Sequence, residues 1–160
     1  MDAAIALAEA VQASAFGGWA RGSSFAYPVA NLIHLLGLVM LVGGIGLLDL
    51  RLFGLFRAIP VAPLWRILTP IGIVGLLLMI PTGLVLFAAD ASALAVSDTF
   101  RRKLIFIALA LVNAGAYRLI WRKRVPDWDA SAPPVARALA LTSLLLWLTV
   151  AALGRLIAYT

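Results

Sequence analysis

Four stretches of this chain stay apolar for about twenty residues at a time, the length of a helix that crosses a bilayer. They run over about 27–48, 67–89, 103–121 and 135–159, and polar or proline-rich segments separate them. In a bilayer every backbone polar group must be satisfied within the chain, which leaves a helical bundle or a closed barrel. A transmembrane barrel would need alternating segments of about ten residues, and none is present. The predicted fold class is therefore all-α: an integral membrane four-helix bundle with a short N-terminal interfacial helix. Residues 1–26 form that helix and its linker, and 27–160 form the bundle.

Smaller features sharpen this division. Residues 2–16 read as one short helix that carries Asp2 and Glu9 but no base, unlike a signal peptide. Gly17, Gly18, Gly22 and two serines are expected to break the chain after it, with Trp19, Phe25 and Tyr27 as interfacial aromatics. Asp49, Leu50 and Arg51 are expected to end the first span. Pro60 and Pro63 mark the next segment as a loop, and Asp90–Thr99 reads as a polar turn.

Composition agrees with the pattern: 64% of the 160 residues are hydrophobic and only 12% charged. The net charge of +6 does not point to nucleic acid, because the bases cluster at span ends. The side holding the N-terminus, the second loop and the C-terminus carries five of the 13 bases, and the other side carries eight. This bias predicts cytoplasmic first and third loops and periplasmic termini, in a bacterial inner membrane. The chain has no cysteine, which excludes disulfides, thiolate metal sites and thiol catalysis. It also lacks a phosphate loop, a Ser-His-Asp set at readable spacing and a carboxylate pair within a span, so hydrolase and ATPase chemistry have no basis.

The candidate chemistry centres on His34, the single histidine, about 10 Å inside the first span at 1.5 Å per residue. An ionisable group at that depth is a functional candidate. Asn31 lies one turn earlier on the same face, placed to hydrogen-bond the imidazole. A neutral imidazole suits haem iron as an axial ligand, and it equally suits a hydrogen-bonded contact between helices. One histidine is too few for a dedicated zinc or copper site. Gly37 and the other span glycines offer either room for a flat macrocycle or close helix packing. Lys103 opens the third span behind Arg101 and Arg102. The topology puts Lys103, His34, Thr82 and Gly83 in one leaflet, where the three cations are candidates for haem propionates or act as interfacial anchors. Met40 and Met79 read as sixth-ligand candidates or as filler, and Asn113 as an interhelical hydrogen-bonding group.

Tyr27-Pro28, His34-Leu35-Leu36-Gly37, Gly43-Gly44, Asp49 through Gly54, Pro81-Thr82-Gly83-Leu84 with Phe87, and Phe100 with Lys103-Leu104 together resemble an uncharacterised bacterial four-span membrane family of the DUF type, over roughly residues 19–121. A looser likeness is to the J-type protoporphyrinogen oxidases, which bind haem b. That likeness matches His34 to their early histidine, Lys103 to their lysine, and Arg51 and Leu52 to their Arg-Leu pair. Their later histidines are absent, and Asn113 stands near one such position. CopD-like copper proteins look similar at the same coarse level, but this chain is poor in methionine and histidine. The expectation is a haem-b-binding inner-membrane protein, homo-oligomeric or attached to a larger membrane complex. His34 would be its metal ligand, and Asn31, Gly37, Thr82, Arg101, Arg102 and Lys103 would surround the cofactor. The alternative is a cofactor-free accessory or scaffold subunit.

Overall fold

The structure is a computed structural model and describes residues 2–122 and 124–159; Lys123, one of the third-loop bases, lies outside them. Four long helices form the bundle: α3 (Ala26–Phe53), α4 (Val61–Ala89), α6 (Asp98–Trp121) and α7 (Pro134–Leu156). Three short helices complete the chain: α1 (Asp2–Ala13), α2 (Ala15–Gly22) and α5 (Ala91–Val96). The four long helices are each long and apolar enough to cross a membrane, and at most 28% of the core window of any of them is buried within the bundle. Leu32, Val39, Val112 and Leu119 are each more than two-thirds exposed. So much apolar surface requires a lipid surround, and the chain is a multi-pass membrane protein.

The bundle is built from two helix pairs. α3 lies along α4, α6 lies along α7, and α3 joins the pairs through α7. Lipid gives helices no hydrophobic reason to associate, so close van der Waals contact between small residues must hold them. The α3–α4 seam has that character. A Cβ placed on Gly75 would lie 2.5 Å from the Gly37 carbonyl oxygen and 2.8 Å from the Leu41 nitrogen. One placed on Gly44 would lie 3.0 Å from the Leu68 carbonyl oxygen. Gly37 therefore serves the packing of two backbones, and the space beside it is filled by Gly75 and Met79. Between the pairs, alanines do similar work: Ala110, Ala136 and Ala140 are fully buried around Leu41, Leu48 and Trp147. Asn113 Nδ2 donates to the Leu139 carbonyl at 3.2 Å, joining α6 to α7 as expected.

Helix ends differ from the sequence reading in instructive ways. α3 does not stop at Asp49–Arg51 but continues to Phe53, with Asp49 and Arg51 both buried. It ends where Gly54 takes φ +127°. The Leu55 N–H bonds to the Leu50 carbonyl and the Gly54 N–H to the Arg51 carbonyl, the glycine-dependent Schellman closure. Pro60 and Pro63 start α4 rather than extending a loop, because a proline before or within the first turn costs no intrahelical hydrogen bond. The expected polar turn contains α5, and Ser97 caps α6 by accepting from the Phe100 N–H at 3.2 Å. The N-terminal segment breaks at Ser14, whose hydroxyl accepts from the Gly17 N–H. Gly17 and Gly18 are thus inside α2, whereas Gly22 is its last residue, ahead of the break at Ser23 and Ser24.

The two ends of the bundle close by different polar contacts. At the end holding the N-terminus, Gln12 Oε1 accepts from the Ser92 N–H at 2.7 Å, and Arg21 donates to the Ala89 carbonyl at 3.4 Å. These contacts satisfy groups that the α4–α5 junction leaves free. At the opposite end Arg51, only 2% exposed, donates to the Ile59 carbonyl at 2.6 Å, the Asp129 carbonyl at 2.9 Å and the Arg57 carbonyl at 3.4 Å. The Asp129 carboxylate accepts from the Val61 N–H at 2.7 Å, capping α4. A cation in the last turn of α3 also suits the negative end of the helix dipole. Arg51 therefore binds the first and third loops into one lid.

Two substitutions test the seam. Gly75→Val should lower bundle stability by roughly 1–3 kcal/mol, because two backbones must separate. Gly43→Ala should change it by less than about 0.5 kcal/mol, since Gly43 is exposed with nothing within 4 Å of an added Cβ. Thermal or denaturant unfolding in detergent measures both, and equal effects would refute the close-packing account.

Candidate functional site

His34 is half-buried on α3 and faces α4. Its Nδ1 lies 3.0 Å from Thr82 Oγ1. Thr82 follows Pro81, in the part of α4 where the proline removes one backbone donor. The Thr82 hydroxyl turns back along its own helix, 2.7 Å from the Leu78 carbonyl and 3.3 Å from that of Met79. A carbonyl cannot donate, so the hydroxyl hydrogen belongs to the Leu78 contact. Only lone pairs of Oγ1 then face the imidazole, and His34 Nδ1–H must be the donor. The proton of a neutral imidazole is thereby fixed on Nδ1, and Nε2 keeps its lone pair.

The ring sits where only glycine leaves room. A Cβ on Gly83 would stand 3.3 Å from His34 Cε1 and 3.7 Å from Nδ1. On the other helix pair, Lys103 is half-buried and turns toward α7. Its Nζ passes 3.5 Å from the Cβ position of Gly154 on α7. Beside Thr82, helices α2, α3 and α4 frame an apolar groove of about 400 Å³, lined by Trp19, Ala26, Ala30, Ile33 and Val85.

The structure brings His34 and Thr82 into contact, and Lys103, near the start of α6, stands at the same end of the bundle. The remaining candidates stand apart. The Asn31 side chain is exposed and takes no part in the histidine hydrogen bond. Arg101 and Arg102 are exposed, and Arg101 pairs with Asp98 in the first turn of α6. Gly37 belongs to the helix seam, one turn deeper than His34. Met79 packs against Gly37 and the core between the pairs. Gly154 and the Leu78 carbonyl join the site without having been singled out in the sequence. Gly154 carries no local signal of its role, whereas a threonine hydroxyl bonding four residues back is a known habit of helices.

Among the described residues no group of three or more His, Asp or Glu side chains gathers to hold an ion. No protein-family model matches the chain, and no curated protein or solved structure matches it.

The assignment of the imidazole proton has a direct readout, because the chain has one histidine. Nitrogen NMR of labelled protein should show a protonated Nδ1 and a bare Nε2. In Thr82→Val the two neutral forms should mix, and Thr82→Ser should restore the single form. A protonated Nε2 in the unaltered protein would overturn the assignment.

Proposed function

We propose that the protein binds haem b in a bacterial inner membrane, with His34 Nε2 as an axial ligand to the iron. The observation that carries this reading is the anchored imidazole. A histidine that ligates a metal ordinarily donates its other ring N–H to a fixed acceptor, which sets the ring's orientation and raises its basicity, and Thr82 is such an acceptor. The residues present fit the group in two respects: one oriented imidazole nitrogen, and a half-buried lysine at the same end of the bundle. The likeness to J-type protoporphyrinogen oxidases points the same way.

Haem held by histidine supplies one-electron chemistry. The chain's own groups have narrower tasks. Thr82 holds the His34 tautomer, Gly83 leaves space for the ring, and Lys103 offers charge to a propionate. Arg101 and Arg102 stay at the membrane surface, where they anchor the start of α6. The charge bias places the first and third loops in the cytoplasm and the termini outside.

Absorption spectra of the detergent-purified protein, oxidised and then reduced after expression with ample haem, test the cofactor. A Soret band and sharp reduced bands are expected, lost in His34→Ala and weakened in Lys103→Met. A folded, colourless protein that takes up no added haem would sink the proposal and leave the accessory or scaffold reading. Sidedness is tested by labelling single cysteines in this cysteine-free chain. Ala93→Cys should react with an impermeant maleimide in intact spheroplasts, and Ser131→Cys only after lysis. The reverse pattern would invert the topology.

A further inference from the structure

At the opposite end of the bundle from His34, α4 and α6 barely touch, and the gap between them is a cavity of about 300 Å³ floored by α3 and α7. Ile45, Ile73 and Leu111 give it apolar walls. Its polar groups are unusual for such a place. Asp49 is 6% exposed, lines the cavity beside Ser143, and its Oδ2 has no hydrogen-bond partner among the described residues. Thr69 and Tyr117 line the same cavity, and their hydroxyl oxygens are likewise buried without a hydrogen-bond partner among the described residues. A buried carboxylate inside a membrane ordinarily pairs with a cation or marks a ligand path. Arg118 lines the cavity but is exposed, and no ion pair joins it to Asp49. Arg51, two residues away, is committed to loop carbonyls.

Three features narrow the ligand. One carboxylate calls for a positive charge. The buried, unpaired oxygens of Asp49, Thr69 and Tyr117 are acceptors of the kind a primary ammonium, with its N–H donors, can use. The rings of Trp65 and Tyr117, with centroids 6.4 Å apart, line the cavity beside the acid, and aromatic faces attract such a cation. The remaining wall suits a hydrocarbon chain. We propose that this cavity binds the primary ammonium head of a lipophilic amine, with Asp49 as counter-ion and Thr69 and Tyr117 as further acceptors. A free amine and an aminophospholipid headgroup share this chemistry. Asp49 lies four residues before the end of α3, about 6 Å along the axis at 1.5 Å per residue, a depth open to either source.

Calorimetric titration of the purified protein with n-hexylammonium, against 1-hexanol and hexyltrimethylammonium, tests the site. Hexylammonium should bind saturably, with the alcohol and the quaternary amine weaker by about tenfold or more, the effect of losing a charge-assisted hydrogen bond. Asp49→Asn should abolish the preference. Thr69→Val and Tyr117→Phe should each weaken hexylammonium several-fold and keep the test decisive where Asp49→Asn fails to fold. Competition in nanodiscs then separates the sources. Displacement by phosphatidylethanolamine but not phosphatidylcholine supports the headgroup, and no displacement by either supports a free amine. Equal binding of alcohol and ammonium, or unchanged binding in both Thr69→Val and Tyr117→Phe, would overturn the proposal.

Discussion

The contact between α3 and α4 governs the rest of the bundle. Inside a bilayer, lipid tails compete on equal terms with apolar side chains, so helices stay together only where their surfaces meet closely. Gly37 against Gly75 and Gly44 against Leu68 and Gly72 supply that closeness. The same approach fixes the distance between polar groups further along the two helices. Gly37 is one turn from His34, and Gly75 is two turns from Thr82. With the backbones drawn together there, the imidazole reaches the Thr82 hydroxyl at 3.0 Å and lies over Gly83. A looser seam would leave an intramembrane histidine without its partner, at a cost of about 1–3 kcal/mol for the unsatisfied group.

Helix existence and helix ends drew on different kinds of information. Hydropathy fixed four spans, and loop order put His34, Thr82 and Lys103 in one leaflet. Facing was hidden, because a helix that is apolar all round has no stripe to mark its inner side. Spacing pointed to Asn31 as the partner of His34 and gave Thr82 only a shared leaflet, whereas the packing of α4 brings the Thr82 hydroxyl to the imidazole. Charge was misleading at the end of α3. Asp49 and Arg51 looked like boundary residues, yet both are buried, and the true stop was legible in Gly54. The prolines before α4 carried the same ambiguity, since proline both interrupts helices and begins them.

Asp49 and Arg51 also show how differently one helix can treat neighbouring charges. Positions two apart on a helix point to nearly opposite sides. Arg51 points to the loops, where carbonyls surround its guanidinium. Asp49 points to the gap between α4 and α6, where Ser143 is beside it and Oδ2 stays open. One charge closes an end of the molecule, and the other faces a cavity that the four helices do not fill.

The Arg51 clamp also gives the chain a direction in time. Its Asp129 carbonyl lies 78 positions further on, and α4 and α6 are synthesised between the two. A translating ribosome delivers the α3–α4 hairpin, and then a third span, before the residue that completes the guanidinium's shell exists. The early hairpin is held by its glycines, by the His34–Thr82 contact and by the Arg51 bonds to the Ile59 and Arg57 carbonyls, and the guanidinium still lacks its last acceptor. Sealing of that end is a late step, because the Asp129 carbonyl that completes the Arg51 shell arrives only with the third loop.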